Sequence, residues 1–379
     1  MGRNLKGLAI LGSTGSVGTQ TLDVVRLFPN IFDVVGLAAH RNLERLGAQI
    51  AEFEPKYFAC EGTSQQLDRL GRFGSQPLSM LDMAIHPEVD LLVTATVGDV
   101  ALVPTIAAIE AGKDVAIANK ESVIIAGKAL TELAKLHHVN LLPMDSEPNA
   151  IWQCIRGESE NVSKLVITAS GGAFRDYDLN QLNGVSPEEA LNHPTWEMGA
   201  KITVDSATLM NKAFEVIEAH WLFGVAWEDI EVVIHPQSYV HSMVEFVDGS
   251  VKAQISPPDM HLPIQYSLLY PERIRNPEIS RFDPVNVGEL TFRELEAERY
   301  PCFELALRVA KRGGTWPAAL CGADEVAVEM FLGEKIRFTD IAVVIEQALQ
   351  AHDAIEDPTP SQSLAAASWA KDEVRKMLA

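Results

Sequence analysis

The sequence predicts an α/β protein with an N-terminal Rossmann-like parallel-sheet domain, a central α+β domain and a C-terminal α-helical bundle. Three observations carry this. Between Gly7 and Met144, short β-rich apolar runs alternate with longer amphipathic stretches, the pattern of βαβ units around a parallel sheet. Between Asp145 and Leu269, helical stretches mix with a hairpin, Val240 to Val247 and Ser250 to Ile255, turned by Asp248-Gly249. From about Arg293 onward the periodicity is helical throughout.

Strands of the first region are expected at Leu8–Leu11, Val34–Ala38, Leu91–Ala95, Val115–Ala118 and Leu141–Met144. Each is a short β-rich apolar run set between longer helical stretches. Helices are expected at Val100–Ala111 and Ser122–His137. Around Tyr270 to Asn286, Pro, Arg and Asn become dense and periodicity is lost, as in a surface linker. Helices then follow at Cys302–Arg312, Pro317–Leu332, Thr339–Ala351 and Ser361–Leu378, which suits a small bundle. The resulting boundaries are 1–144, 145–269, a linker over 270–292, and 293–379.

A chain of 379 residues exceeds one ordinary core and calls for two or three domains. No apolar run approaches the roughly 18 to 20 residues of a membrane span. Met1 to Leu11 is basic and then runs straight into a strand, so no signal peptide is expected. Lys plus Arg number 31 against 52 Asp plus Glu, a formal charge of -21, which repels nucleic-acid backbones and acidic membranes. Neither nucleic acid nor membrane is an expected partner. An anionic substrate must meet a local cluster of donors, helped by a bound cation. Cys60, Cys154, Cys302 and Cys321 show neither pairing nor metal spacing and fit a reducing cytoplasm.

Gly12-Ser13-Thr14-Gly15-Ser16-Val17-Gly18 follows a predicted strand and opens a helix. Its glycines permit a tight turn and bring backbone N–H groups to a pyrophosphate, although a GxxGxxG turn can also be plain structural punctuation. At the end of the second strand stand His40, Arg41 and Asn42, where an NAD enzyme usually carries an acid. A guanidinium matches a 2′-phosphate, so NADP is favoured over NAD unless Arg41 is merely a solvated surface residue.

Asp145-Ser146-Glu147 follows the strand ending at Met144, at the carboxyl end of a parallel sheet. If the segment is extended, the two carboxylates point to one side and suit a hard divalent cation. A helix beginning near Asp205 places Asn211, Glu215 and Glu218 on one face, with Lys212 beside them. On a surface helix the same spacing makes an ordinary Lys212–Glu215 ion pair. Ser206 and Thr208 at that helix start, Ser170-Gly171-Gly172 and His193 add the donors a phosphate monoester needs. The stretch His193 to Gly199, with Trp196 and Met198, reads as a lid or as a surface turn with the Trp packed inward.

With these residues in hand, the sequence resembles the 1-deoxy-D-xylulose 5-phosphate reductoisomerase family nearly end to end. The shared motifs are GSTGSVG at Gly12, ANKES at Ala118, LLPMDSE at Leu141, SGG at Ser170, HPTWEMG at His193, KITVDSATLMNK at Lys201, IHPQSYVHSMV at Ile234, PPDM at Pro257 and IRFTDI at Ile336. The resemblance implies rearrangement of 1-deoxy-D-xylulose 5-phosphate and its reduction by NADPH to 2-C-methyl-D-erythritol 4-phosphate, in non-mevalonate isoprenoid synthesis.

It implies that Asp145, Glu147 and Glu215 hold Mg²⁺ or Mn²⁺, with Lys120 and Ser146 near the substrate's oxygenated end. Ser170, His193, Ser206, Asn211 and Lys212 receive the phosphate and adjoining hydroxyl. Thr14, Gly15, Ser16, Val17, Arg41, Asn42, Asn119, Glu121 and Gly199 line the NADPH site. Trp196, Met198, His241 and Met260 close around it. Residues 1–144 then bind NADPH, 145–269 carry catalysis, the lid and dimerisation, and 293–379 form the helical domain. Apolar hairpin strands in the middle domain point to a homodimer paired at a sheet edge.

The sequence departs from the family pattern in three places. Pro148 replaces a His after D-S-E, His40 replaces a Gly before the basic residue, and Leu320-Cys321-Gly322-Ala323-Asp324-Glu325 replaces an asparagine-rich motif. Rival readings are a plain NADP-linked semialdehyde dehydrogenase with structural carboxylates, and a non-catalytic NADP sensor.

Overall fold

The computed structural model describes residues 5–71 and 74–377. Met1–Asn4 of the basic N-terminus and the predicted helix end at Leu378 lie outside the described residues. The chain forms two compact units, one of Met1–Ser122, Leu130–Asn149 and Asp259–Ser280, the other of Val123–Ala129, Ala150–Pro258 and Arg281–Ala379.

The first unit is built on seven parallel strands: β1 Lys6–Leu11, β2 Phe32–Ala38, β3 Tyr57–Ala59, β4 Gln76–Pro77, β5 Leu91–Thr94, β6 Asp114–Ile117 and β7 Leu141–Pro143. Their order is β4-β3-β2-β1-β5-β6-β7, so the direction of winding reverses between β1 and β5. In open α/β sheets, ligands bind at the carboxyl ends of the strands flanking such a reversal. Leu8 to Leu11 and Leu91 to Val93 are wholly inaccessible to solvent, which explains their unbroken aliphatic character. The helix Ser16–Leu27 buries Thr21, Leu22, Val24 and Val25. The helix His261–Leu269 packs against that helix and β7.

The second unit contains β8 Val162–Ala169, β9 Ile230–Ile234, β10 Val240–Phe246, β11 Val251–Ile255 and β12 Arg293–Glu294 in the order β11-β10-β8-β9-β12. β10 and β11 form the expected antiparallel hairpin, turned through Gly249 at a φ of 82°. Helices Pro301–Ala310, Trp316–Leu332, Asp340–Gln350 and Pro360–Met377 make the C-terminal bundle. Trp316–Leu332 is its centre, packed by the other three, and this is why it is apolar nearly all round.

Candidate active site

The carboxyl edge of the first sheet carries the predicted nucleotide residues. Gly12 adopts a φ of +88°, and a Cβ there would lie 2.4 Å from the Ala95 carbonyl oxygen; at Gly18 it would lie 2.2 Å from the Gly12 oxygen. Only glycine fits a turn this tight at the β1/β5 reversal. Gly12 and Ser13 both donate to the Ala38 carbonyl, and Gln49 locks Ser13 with two side-chain bonds of 2.8 Å. Gly15 then begins the Ser16–Leu27 helix without a side-chain cap, so the first-turn N–H groups of Ser16 and Val17 face outward with Thr14 beside them. This cradle suits a pyrophosphate.

Along the same edge, Arg41 follows β2 and its side chain is 79% exposed. Asn42 uses its side-chain oxygen to cap the helix Leu43–Phe53, accepting from Arg45 N–H at 3.2 Å. Asn119, after β6, donates to the carbonyls of Thr96 and Gly98 at 3.0 and 2.8 Å, while Glu121 accepts from Gly98 N–H at 3.1 Å. These two side chains therefore hold the loop that leaves β5.

Lys120 and Asp145 form an ion pair in which both side chains are largely buried. The expected extended D-x-E segment is instead the entrance of a helix, Ser146–Ile155: the Asp145 carbonyl accepts from Asn149 N–H at 2.9 Å. Glu147 thus lies in a first helical turn, where its carboxylate accepts from Ser146 Oγ at 2.5 Å. Pro148 is tolerated in that turn because its missing N–H has no intrahelical partner there. Met260 stands just before the helix His261–Leu269, without a side-chain cap bond, and is half-buried.

The phosphate-type donors gather in the second unit. Ser170-Gly171-Gly172 follows β8, and a Cβ on Gly172, at a φ of +70°, would strike the Ser206 carbonyl oxygen at 2.4 Å. The missing side chain lets the Ser170 turn lie directly on the helix Ala200–Thr208. Ser206 and Thr208 close that helix and do not start the next one. Leu209, at a φ of +55°, breaks the chain there, and a separate helix runs Met210–Phe223. On it Asn211 donates to Glu215 at 2.6 Å, and Lys212 pairs with the other Glu215 oxygen. The pair is buried, Glu215 being 1% exposed, so it is no ordinary surface contact.

His193 is defined by its hydrogen bonds. Its Nδ1 accepts from the backbone N–H groups of Thr195 and Trp196 at 3.1 and 2.9 Å, which leaves the proton on Nε2, 2.9 Å from Ser170 Oγ. Burial, with Arg175 and Lys212 adding positive charge nearby, pushes its pKa down to about 4, so the ring is neutral at pH 7. Ser170 Oγ accepts from this N–H and from Gly172 N–H at 3.2 Å, and its own proton is left to donate. Beyond His193, Trp196 and Met198 are half-buried, with the Trp196 ring tilted against His241 at 6.2 Å. Gly199 ends this segment as the N-cap of the helix Ala200–Thr208.

Some participants were missed in the sequence. Arg175 donates to the Ser170 carbonyl at 2.9 Å and Tyr300 to that of Gly171 at 2.9 Å, together pinning the turn. Arg175 lay close enough to the glycines to be suspected; Tyr300 carries no local signal. Lys201 bonds Asp205 at 2.5 Å and the fully buried Asp324 at 2.6 Å, so the altered C-terminal motif anchors the helix that follows the His193–Gly199 segment.

Comparison with known proteins agrees along the chain. Family models of 1-deoxy-D-xylulose 5-phosphate reductoisomerase match residues 8–127, and those of its C-terminal domains match 141–223 and 255–373. The reductoisomerase of Nostoc punctiforme (strain ATCC 29133 / PCC 73102) is 48% identical over 98% of this chain and 96% of its own. That of Synechococcus sp. (strain JA-2-3B'a(2-13)) is 46% identical over 98% and 97%. The Zymomonas mobilis enzyme, solved in complex with NADPH, superposes with a TM-score of 0.91 at 35% identity, covering 99% of both chains. A reductoisomerase solved with NADPH, fosmidomycin and magnesium gives 0.89 at 38% identity, covering 99% of this chain and 97% of its own. This chain belongs to the 1-deoxy-D-xylulose 5-phosphate reductoisomerase family.

Proposed function

We propose that this chain converts 1-deoxy-D-xylulose 5-phosphate to 2-C-methyl-D-erythritol 4-phosphate by an NADPH- and divalent-metal-dependent rearrangement and reduction, on the non-mevalonate route to isoprenoid precursors. The observation that carries the reading is the Ser170–His193 pair beside buried Lys212, a phosphate-monoester cradle inside a strongly acidic chain of this family.

The donors present fit both cofactors. Gly12, where a Cβ would strike the Ala95 backbone, allows the tight turn that leads to the uncapped helix at Gly15, and Arg41 supplies the cation for a 2′-phosphate. Asp145, Glu147 and Glu215 offer carboxylate oxygens alone, the donor set of Mg²⁺ or Mn²⁺. When bound, NADPH supplies the hydride and the divalent ion supplies Lewis acidity toward the carbonyl and its neighbouring hydroxyl.

The chain's own groups do the rest. Neutral His193 orients the Ser170 hydroxyl, which donates to a phosphate oxygen together with Ser206, Asn211 and the Lys212 ammonium. Lys120 and Ser146 lie at the substrate's oxygenated end. The segment His193–Gly199 acts as the lid: the His193 ring bonds its first backbone N–H groups, so phosphate binding at Ser170 is coupled to lid order. Trp196, Met198, His241 and Met260 exclude water from the reacting carbons.

β11 forms the outer edge of its sheet with Val251 and Ile255 exposed, which supports a homodimer paired through this edge. Cys60, Cys154 and Cys302 form no disulfide, which favours the cytoplasm. No helix among the described residues is long and apolar enough to cross a membrane. The test is product analysis after incubation with 1-deoxy-D-xylulose 5-phosphate, NADPH and Mn²⁺. The expected result is the C-methyl tetritol phosphate with one NADPH oxidised per product. NADPH consumption without a branched product would refute the rearrangement.

A further inference from the structure

We propose that Glu61 sets the strength of discrimination between NADPH and NADH, acting as a built-in counter-ion at the 2′-phosphate end of the nucleotide site; this rests on Arg41 receiving that phosphate. β2 and β3 run parallel with Ala38 opposite Ala59, and their continuations remain joined beyond the sheet. Ala39 N–H donates to the Ala59 carbonyl at 2.9 Å, and Glu61 N–H donates to the His40 carbonyl at 3.0 Å. The backbone thereby fixes Glu61 beside the two basic residues. One carboxylate oxygen, Oε2, lies 2.9 Å from His40 Nε2 and 3.5 Å from Arg41 Nε.

The carboxylate can act in two opposed ways. It can hold Arg41 in place, leaving the guanidinium's other donors for the phosphate, or it can compete with and repel the phosphate. Magnitudes decide between them. The three side chains are 64%, 65% and 79% exposed, and an exposed ion pair at 3.5 Å preorganises its members by a few-fold in affinity at most. Repulsion between a carboxylate and a phosphate dianion about 5 Å apart in water corresponds to roughly tenfold in affinity before salt screening. Repulsion wins. Toward NADH the sign differs, because a carboxylate that follows β3 but is held beside the end of β2 can accept from a ribose 2′-hydroxyl there. Glu61 therefore narrows the preference that Arg41 creates.

The test is calorimetric titration of NADPH, NADH and 2′,5′-ADP into the full chain and into Glu61→Gln and Arg41→Ala, without substrate or turnover. Glu61 is exposed, so the Gln variant should fold and melt as the parent does. Glu61→Gln should bind NADPH and 2′,5′-ADP about three- to tenfold more tightly, with NADH unchanged or weaker, and the gain should shrink at high salt. Unchanged or weakened NADPH binding, or equal tightening of NADH, overturns the proposal while leaving Arg41 in its role. A parent chain without NADPH preference, or an Arg41→Ala loss equal for both cofactors, overturns that role and the proposal with it.

Discussion

The hydrogen bond of 2.9 Å between His193 Nε2 and Ser170 Oγ coexists with two backbone bonds to His193 Nδ1, a set only the neutral imidazole can make. Burial depresses the folded-state pKa from 6.5 to about 4. Between these values the unfolded chain takes up a proton that the folded chain refuses. This contribution to stability is therefore complete above about pH 6.5 and is lost as pH falls toward about 4. His193→Asn keeps an acceptor near the Nδ1 position and cannot titrate. The stability gap between parent and variant, from urea unfolding at several pH values, should close across that window. A constant gap would contradict the neutral assignment.

Lys212 pairs with buried Glu215 and, in the proposed function, also holds the phosphate; its removal should separate the two. Lys212→Gln should raise KM for the phosphorylated substrate and lower kcat, because phosphate binding also orders the lid. An unphosphorylated analogue should be poor with either protein and indifferent to the change. Removing one partner of a buried pair should also lower stability by about 3 kcal/mol, visible in denaturant unfolding. Equal losses for both substrates would show that Lys212 does not contact phosphate.

Asp145 follows β7 whereas the nucleotide turn follows β1, three strand spacings or about 14 Å away in the sheet. The double change Asp145→Asn with Glu215→Gln should abolish Mn²⁺-dependent turnover and Mn²⁺ binding by calorimetry, with NADPH affinity kept within a few-fold. Parent binding of Mn²⁺ should strengthen as pH rises, since the ligands must be ionised. Intact Mn²⁺ affinity in the double variant would place the ion elsewhere.

Gly172→Ala should be disproportionately harmful. A left-handed φ and a Cβ at 2.4 Å from the Ser206 oxygen act together, and a loss of at least about 2 kcal/mol is expected. KM for the phosphate ester should rise as Ser170 and Ser206 move apart. A variant with parental melting and parental KM would refute this close approach as a requirement.

The parallel sheet was legible because its strands are buried on both faces and so read as continuous aliphatic runs. The C-terminal helices were legible from their period. The candidate phosphate residues were picked out from their motifs, but their arrangement depended on Leu209, and no local rule places a leucine in the left-handed region. The D-x-E segment was read as extended because it continues a strand, although Pro148 in the first turn is itself a helix-start signal. Glu61, Tyr300 and Asp324 act across distant parts of the chain, where sequence spacing carries no signal.

Leu209 also fixes how this region can change. On one uninterrupted helix, Ser206 and Lys212 would point about 120° apart; the reversal at Leu209 frees the second helix to take its own rotational phase. A residue added or removed inside the second helix before Lys212 would turn Lys212 and Glu215 by about 100° relative to the start of that helix. Leu209 is itself buried, so Leu209→Gly would relieve the left-handed backbone but lose an apolar side chain from the core. Both the length of this segment and the residue at its junction are therefore constrained.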